Sequence, residues 1–171
     1  MPQEQAPLDT DSNQNSPNEQ LPELFALLSR DKYTLQKTVD NILTLWVTAN
    51  TLQPTLSLLK SLRQPFSMLF DLFGVDERLR LDKDTLPCKD FTVVYQLLSV
   101  ERNQHIRLKV ALDKDDLHIA TITHLWPNAN WYERECWDLF GIVFDGHPTL
   151  RRILLPPTFK GHPLRKEFPC R

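Results

Sequence analysis

Phe91-Thr92-Val93-Val94-Tyr95-Gln96-Leu97-Leu98 and Ile106-Arg107-Leu108-Lys109-Val110-Ala111-Leu112 decide the fold. In both, apolar side chains occupy every second position (Phe91, Val93, Tyr95, Leu97; Ile106, Leu108, Val110, Leu112), the period of a strand with one buried face. Arg107 and Lys109 give the second strand a wet, basic face. The connection Glu101–His105 is short enough for a hairpin. Upstream, Met68, Phe70 and Leu72 alternate in 67–73 and predict a third strand. Residues 41–48, apolar and rich in branched or aromatic side chains, predict a buried fourth.

Helices fill the intervals. Leu21, Leu24, Phe25 and Leu28 recur at helical spacing in 20–30, with Pro22 in a first turn. Asn50 or Thr51 can cap a helix whose Leu52, Leu56, Leu59 and Leu62 form one stripe, ending before Pro65. Residues 131–140 read as a short helix, with Asn128 or Asn130 as N-cap and Gly141 as a left-handed terminator. The order helix, strand, helix, three strands, helices predicts an α+β fold: a mixed four-stranded sheet with helices packed on it.

Around that core, residues 1–19 are polar, contain three prolines and no aromatic residue, and predict a disordered leader. The α+β domain is expected over 20–144, with 79–89 a long charged loop. Residues 145–171 form an extended Pro-rich tail. Its 147–171 part has five prolines and six basic residues against one acidic, a local charge of +5. Such a segment cannot build its own core and must lie on something or stay disordered.

Bulk properties exclude several classes. A chain of 171 residues suits one domain with a real core. Twenty basic against 22 acidic residues give −2, no general attraction to nucleic acid or anionic lipid. The longest apolar runs, such as 42–47, fall far short of the roughly 20 residues that span a bilayer. The first twenty residues lack the basic start and apolar stretch of a secretory signal, so a cytoplasmic chain is expected. Cys88, Cys136 and Cys170 are an odd, widely spaced set with no Cys-x-x-Cys, which disfavours a disulfide framework and falls short of the four thiolates of an iron–sulfur cluster. The four glycines form no phosphate cradle, so NADH and flavin motifs are missing.

The chemistry is concentrated in Glu133-Arg134-Glu135-Cys136-Trp137-Asp138-Leu139-Phe140-Gly141 and the tail after it. At about 100° per residue, Glu133 and Glu135 point roughly 200° apart. That weakens the one enzyme reading available, a hydrolase on Glu133, Glu135 and His147. Arg134 and Asp138 can meet on one face as a solvated pair worth about 0.3–0.5 kcal/mol. Tyr132, Cys136, Leu139 and Phe140 make an apolar stripe. Trp131, Tyr132 and Trp137 supply more aromatic surface than one face needs, as partner-facing helices do. Gly-His-Pro occurs at 146–148 and 161–163; without a tight ligand pair, His147 and His162 suit fixed bends better than a metal. Arg151, Arg152, Arg165 and Lys166, interleaved with prolines, suit protein carboxylates better than a nucleic-acid backbone.

The run Glu-Arg-Glu, two residues, Asp138, two apolar residues, six residues, His147, three residues, Arg151, one residue and two apolar residues resembles the signature of a family. That family is the thirty-kilodalton (C) subunit of respiratory complex I, the bacterial NADH:quinone oxidoreductase. Ser67–Asp71 with Gly74–Arg78, Trp126–Trp131 and Gly161–Lys166 add to the resemblance, which covers about 40–171. The form it looks most like continues directly into the quinone-site subunit. The resemblance implies a cofactor-free structural and assembly subunit of the peripheral arm, without catalytic residues, metal or small-molecule substrate of its own. FMN and the iron–sulfur clusters would lie elsewhere in the complex. Its signature helix and tail would dock on the quinone-site subunit beside the iron–sulfur subunits, at the cytoplasmic face of the inner membrane. The expected interface residues are Glu133, Arg134, Glu135, Asp138, His147, Arg151, Arg152, His162, Arg165 and Lys166. The matching subunit of a membrane-bound hydrogenase or related oxidoreductase shares the module and is the alternative. A stand-alone hydrolase or binding protein is a third reading.

Overall fold

The hairpin at the centre forms as its alternation demands. In the computed structural model, which describes residues 21–80 and 86–169, β4 (Phe91–Ser99) pairs antiparallel with β5 (Gln104–Leu112), from Phe91↔Leu112 to Ser99↔Gln104. Val93, Tyr95, Leu97, Ile106, Leu108 and Val110 are fully buried on one face. The opposite face is less wet than expected: Arg107 reaches Asp40 at 2.8 Å, and Lys109 bonds Gln36 at 3.0 Å while lying over the Trp46 ring.

β2 (Leu43–Val47) adds parallel to β5, with Leu45 opposite Leu108, and β3 (Met68–Asp76) adds antiparallel to β4. The sheet has five strands, not four, in the order β1-β2-β5-β4-β3. The extra one is β1 (Tyr33–Gln36), an edge strand antiparallel to β2. None of its residues is fully buried, so it carries no hydrophobic period to read. β6 (His118–Ala120) and β7 (Val143–Asp145) form a second, parallel pair too short to show alternation.

Helix α1 (Pro22–Leu27) seals one end of the core with Leu21 and Leu24. Helix α2 (Ala49–Ser61) starts earlier than expected because Thr48 and Thr51 form a reciprocal capping box. It buries Leu52, Leu56 and Leu59. Helix α3 (Ala129–Phe140) crosses the sheet at β3. A Cβ on Gly74 would meet the Phe140 ring at 2.8 Å and Cys136 Sγ at 3.0 Å, so the helix rests on bare strand backbone there. Trp126, Asn128 and Tyr132 donate to the carbonyls of Ser67, Leu69 and Phe70, which ties α3 to the β3 edge. Asn128 thus occupies the N-cap position without capping, its amide being used on Leu69. Among the described residues no helix is long and apolar enough to cross a membrane. The expected leader, Cys170 and Arg171 lie outside the described residues, as do residues 81–85 of the charged loop.

Candidate functional site

Helix α3 buries its charge. Glu133 and Asp138 are 0 % exposed and Arg134 8 %, whereas Glu135 on the other side is exposed. The two glutamates do diverge, which removes the paired-carboxylate geometry. The solvated Arg134–Asp138 pair does not form, because both side chains turn to the tail. Arg134 donates to the carbonyls of Arg151 (3.1 Å) and Arg152 (3.3 Å) and lies over the Trp131 ring.

Asp138 is the centre of the arrangement. Its Oδ2 accepts three consecutive backbone N–H groups, from Ile153 (3.0 Å), Leu154 (2.9 Å) and Leu155 (3.0 Å), while Oδ1 takes Arg152 at 2.5 Å. Burial alone would raise this carboxyl's pKa. The N–H donors and the Arg152 guanidinium outweigh it and hold the value at about 2. Removing one partner from such a buried pair costs on the order of 3–5 kcal/mol, some ten times a solvated pair.

The tail also closes the C-terminal end of α3, where backbone carbonyls lack helical partners. Gly141 N–H bonds Trp137 O, Arg152 and His162 Nδ1 contact Asp138 O, Leu164 N–H reaches Leu139 O, and Arg165 donates to Phe140 O at 2.7 Å. The cations sit at the negative end of the helix dipole. Gly141 has φ 74°, and a Cβ there would strike Arg165 and His162. Further on, Lys166 N–H donates to Asp76 at 2.8 Å, and Arg78 bridges Asp76 to Glu167. Burial raises the Asp76 pKa, but Arg78 and Lys166 N–H bring it down to about 2.

The ten expected interface residues therefore divide. Glu133, Arg134, Asp138, His147, Arg152, His162 and Arg165 bond within the chain, whereas the side chains of Glu135, Arg151 and Lys166 face solvent. The same helix and tail also expose Trp131 (61 %), Leu154 (58 %) and Leu164 (50 %). Asp76, Arg78 and, within the tail, Glu167 were not singled out as site residues; Asp76 and Arg78 are far from the tail in sequence, so no local pattern links them to it. His147 and His162 bond separate backbone carbonyls, and no group of three or more metal-ligating side chains occurs among the described residues.

Residues 45–171 match the family model described as respiratory-chain NADH dehydrogenase, 30 Kd subunit. The chain belongs to this family. One relative, the C/D subunit of the NADH-quinone oxidoreductase of Shewanella woodyi, is 67% identical over 153 residues, 90% of this chain and 25% of that protein. The chain spans about a quarter of the length of the curated relatives it matches. Among solved structures, the trypsin-resistant fragment (1-134) of Nqo5 superposes with TM-score 0.64 at 30% identity, covering 79% of this chain and all of that one. A chain in the structure of the membrane-bound sulfane sulfur reductase, an archaeal respiratory membrane complex, shares the fold (TM-score 0.59, 22% identity, 76% of this chain and 71% of that one). Within the 30 Kd subunit family, then, Arg134, Asp138 and His147 of this member's signature fasten its tail to its own helix, while Glu133 bonds the loop at Thr121 and Ile122.

Proposed function

We propose that this chain is a structural and assembly module of the peripheral arm of NADH:quinone oxidoreductase, docking on the quinone-site subunit through the outer surface of α3 and the tail. The observation that carries this reading is that apolar Trp131, Leu154 and Leu164 and charged Glu135, Arg151 and Lys166 all stay exposed on α3 and on the tail hydrogen-bonded to it. Exposed aromatics among charged residues on a pre-formed backbone suit a protein partner. The buried members of the signature hold the shape; the exposed ones meet the neighbour. The double C/D designation of the relatives supports a quinone-site partner continuous with this module.

In this role the chain holds no cofactor. FMN and iron–sulfur clusters lie in neighbouring subunits, and the chain's contribution is to keep them and the quinone site in fixed relation. It is peripheral at the cytoplasmic face of the inner membrane, attached through the complex.

The test is affinity purification of the parent protein from its own cells in mild detergent, with mass spectrometry and an NADH:quinone assay on the eluate. Iron–sulfur and membrane subunits with NADH-driven activity are expected. Recovery of the protein alone, without activity, would overturn the reading.

A further inference from the structure

Glu133 and His147 face each other between α3, the loop after β6 and the turn after β7. Both side chains are fully buried, with His147 Nε2 4.0 Å from Glu133 Oε2. At that separation no hydrogen bond joins them. His147 Nδ1 accepts the Thr149 N–H at 3.0 Å, which leaves the ring hydrogen on Nε2, directed at the Asn130 carbonyl 3.3 Å away. A second proton on Nδ1 would face the Thr149 N–H.

Glu133 Oε1 accepts the Ile122 N–H at 2.7 Å, and Oε2 lies 2.5 Å from the Thr121 hydroxyl, itself 3.1 Å from that of Thr123. With Glu133 ionised, Thr121 Oγ1 donates to its Oε2; with Glu133 protonated the bond reverses, Glu133 donating to Thr121 Oγ1 and Thr121 to Thr123 Oγ1. Among the described residues no Lys or Arg forms an ion pair with Glu133. Arg134, the nearest on α3, is committed to tail carbonyls, while Cys136 of α3 and Tyr95 of β4 are buried and kept protonated, the Tyr95 hydroxyl lacking a hydrogen-bond partner.

We propose that Glu133 and His147 are a compensating pair that lessens the pH dependence of the attachment of the tail's root. Closed, the pair keeps one proton on the Glu133 carboxyl and none on His147 Nδ1. Lifting the turn at 146–149 off α3 exposes both, so Glu133 releases a proton to solvent and His147 takes one up. The exchange has no net proton change.

Burial raises the Glu133 pKa from 4.5 to about 7, against the opposing Ile122 and Thr121 bonds. Burial lowers that of His147 from 6.5, against the Asn130 carbonyl and with the help of Arg134. The raised acid contributes stability that falls as pH rises from 4.5 to about 7, while the lowered base contributes stability that grows up to 6.5. Below 6.5 the slopes oppose each other. The pair acts within this chain, independently of the partner proposed above.

Amide hydrogen exchange of the full chain at Ile122 and Thr149, corrected for intrinsic rates, tests this between pH 5 and 8. Protection in the wild type should change less with pH between 5 and 6.5 than in either single variant. In His147→Gln it should fall as pH rises, by up to about tenfold per unit, and in Glu133→Gln it should rise by a similar factor. A wild-type slope as steep as either variant's, or slopes of one sign in both variants, overturns the proposal. Carbon-13 titration of the wild type needs no variant: a Glu133 carboxyl titrating at its ordinary 4.5, or a His147 ring at its ordinary 6.5, overturns it equally.

Discussion

Asp138 illustrates how far one side chain's surroundings change its worth. As half of a solvated pair with Arg134 it would contribute a few tenths of a kcal/mol; with three N–H donors and Arg152 it organises residues 151–155. Asp138→Asn keeps the size but removes the charge and half of the acceptors. It should lower unfolding free energy by about 3 kcal/mol in urea titrations. Its folded pKa of about 2 lies below the ordinary 3.8, so its stabilisation is complete above 3.8 and is lost as pH falls through about 2. The acid limb of the stability profile should accordingly be shallower in the variant. Arg134→Ala leaves the Arg151 and Arg152 carbonyls without its guanidinium and bares the Trp131 ring. Melting of the isolated chain should therefore drop along with any loss of assembly; an unchanged melting temperature would argue against a structural role.

The elements differ in how openly the sequence announces them. β4 and β5 were legible because one face is buried along the whole strand, and α2 because its leucines repeat every three or four residues. β1 was missed because its residues stay partly wet, and β6 and β7 because three residues cannot establish a period. The seat of α3 on β3 rests on Gly74, whose significance emerges only when the helix is in place. Gly74→Val would push into Phe140 and Cys136 and should cost about 1–3 kcal/mol, read as a lower melting temperature with the sheet's circular dichroism retained. At the other end of the helix, Gly141→Ala combines a positive φ with a clash against Arg165 and His162. Increased proteolysis within 151–166 relative to wild type is the expected sign of a loosened tail.

At the scale of the whole molecule, an α+β core carries α3 on one sheet edge, and the tail wraps that helix before any partner arrives. An ordered tail reduces the conformational entropy lost on docking. The exposed patch should then be separable from stability. Leu154→Asp, at a side chain 58 % exposed, should leave the melting temperature within about 1 °C of wild type. The amount of partner subunits co-purifying with the parent protein should nevertheless fall severalfold. Equal recovery of partners would remove Leu154 from the interface.

The sequence by itself determined the α+β class, the central hairpin, α2, and the signature that places the chain in the 30 Kd subunit family. These are local or periodic, so chain order is enough to display them. Only the tertiary structure decided what the signature charges do. Whether Asp138 meets Arg134 four residues back or the N–H groups of residues 153–155 depends on where the tail returns, and whether Glu133 meets solvent depends on the loop at Thr121 and Ile122. Burial and long-range hydrogen bonding are properties of segments brought together, and no spacing along the chain encodes them.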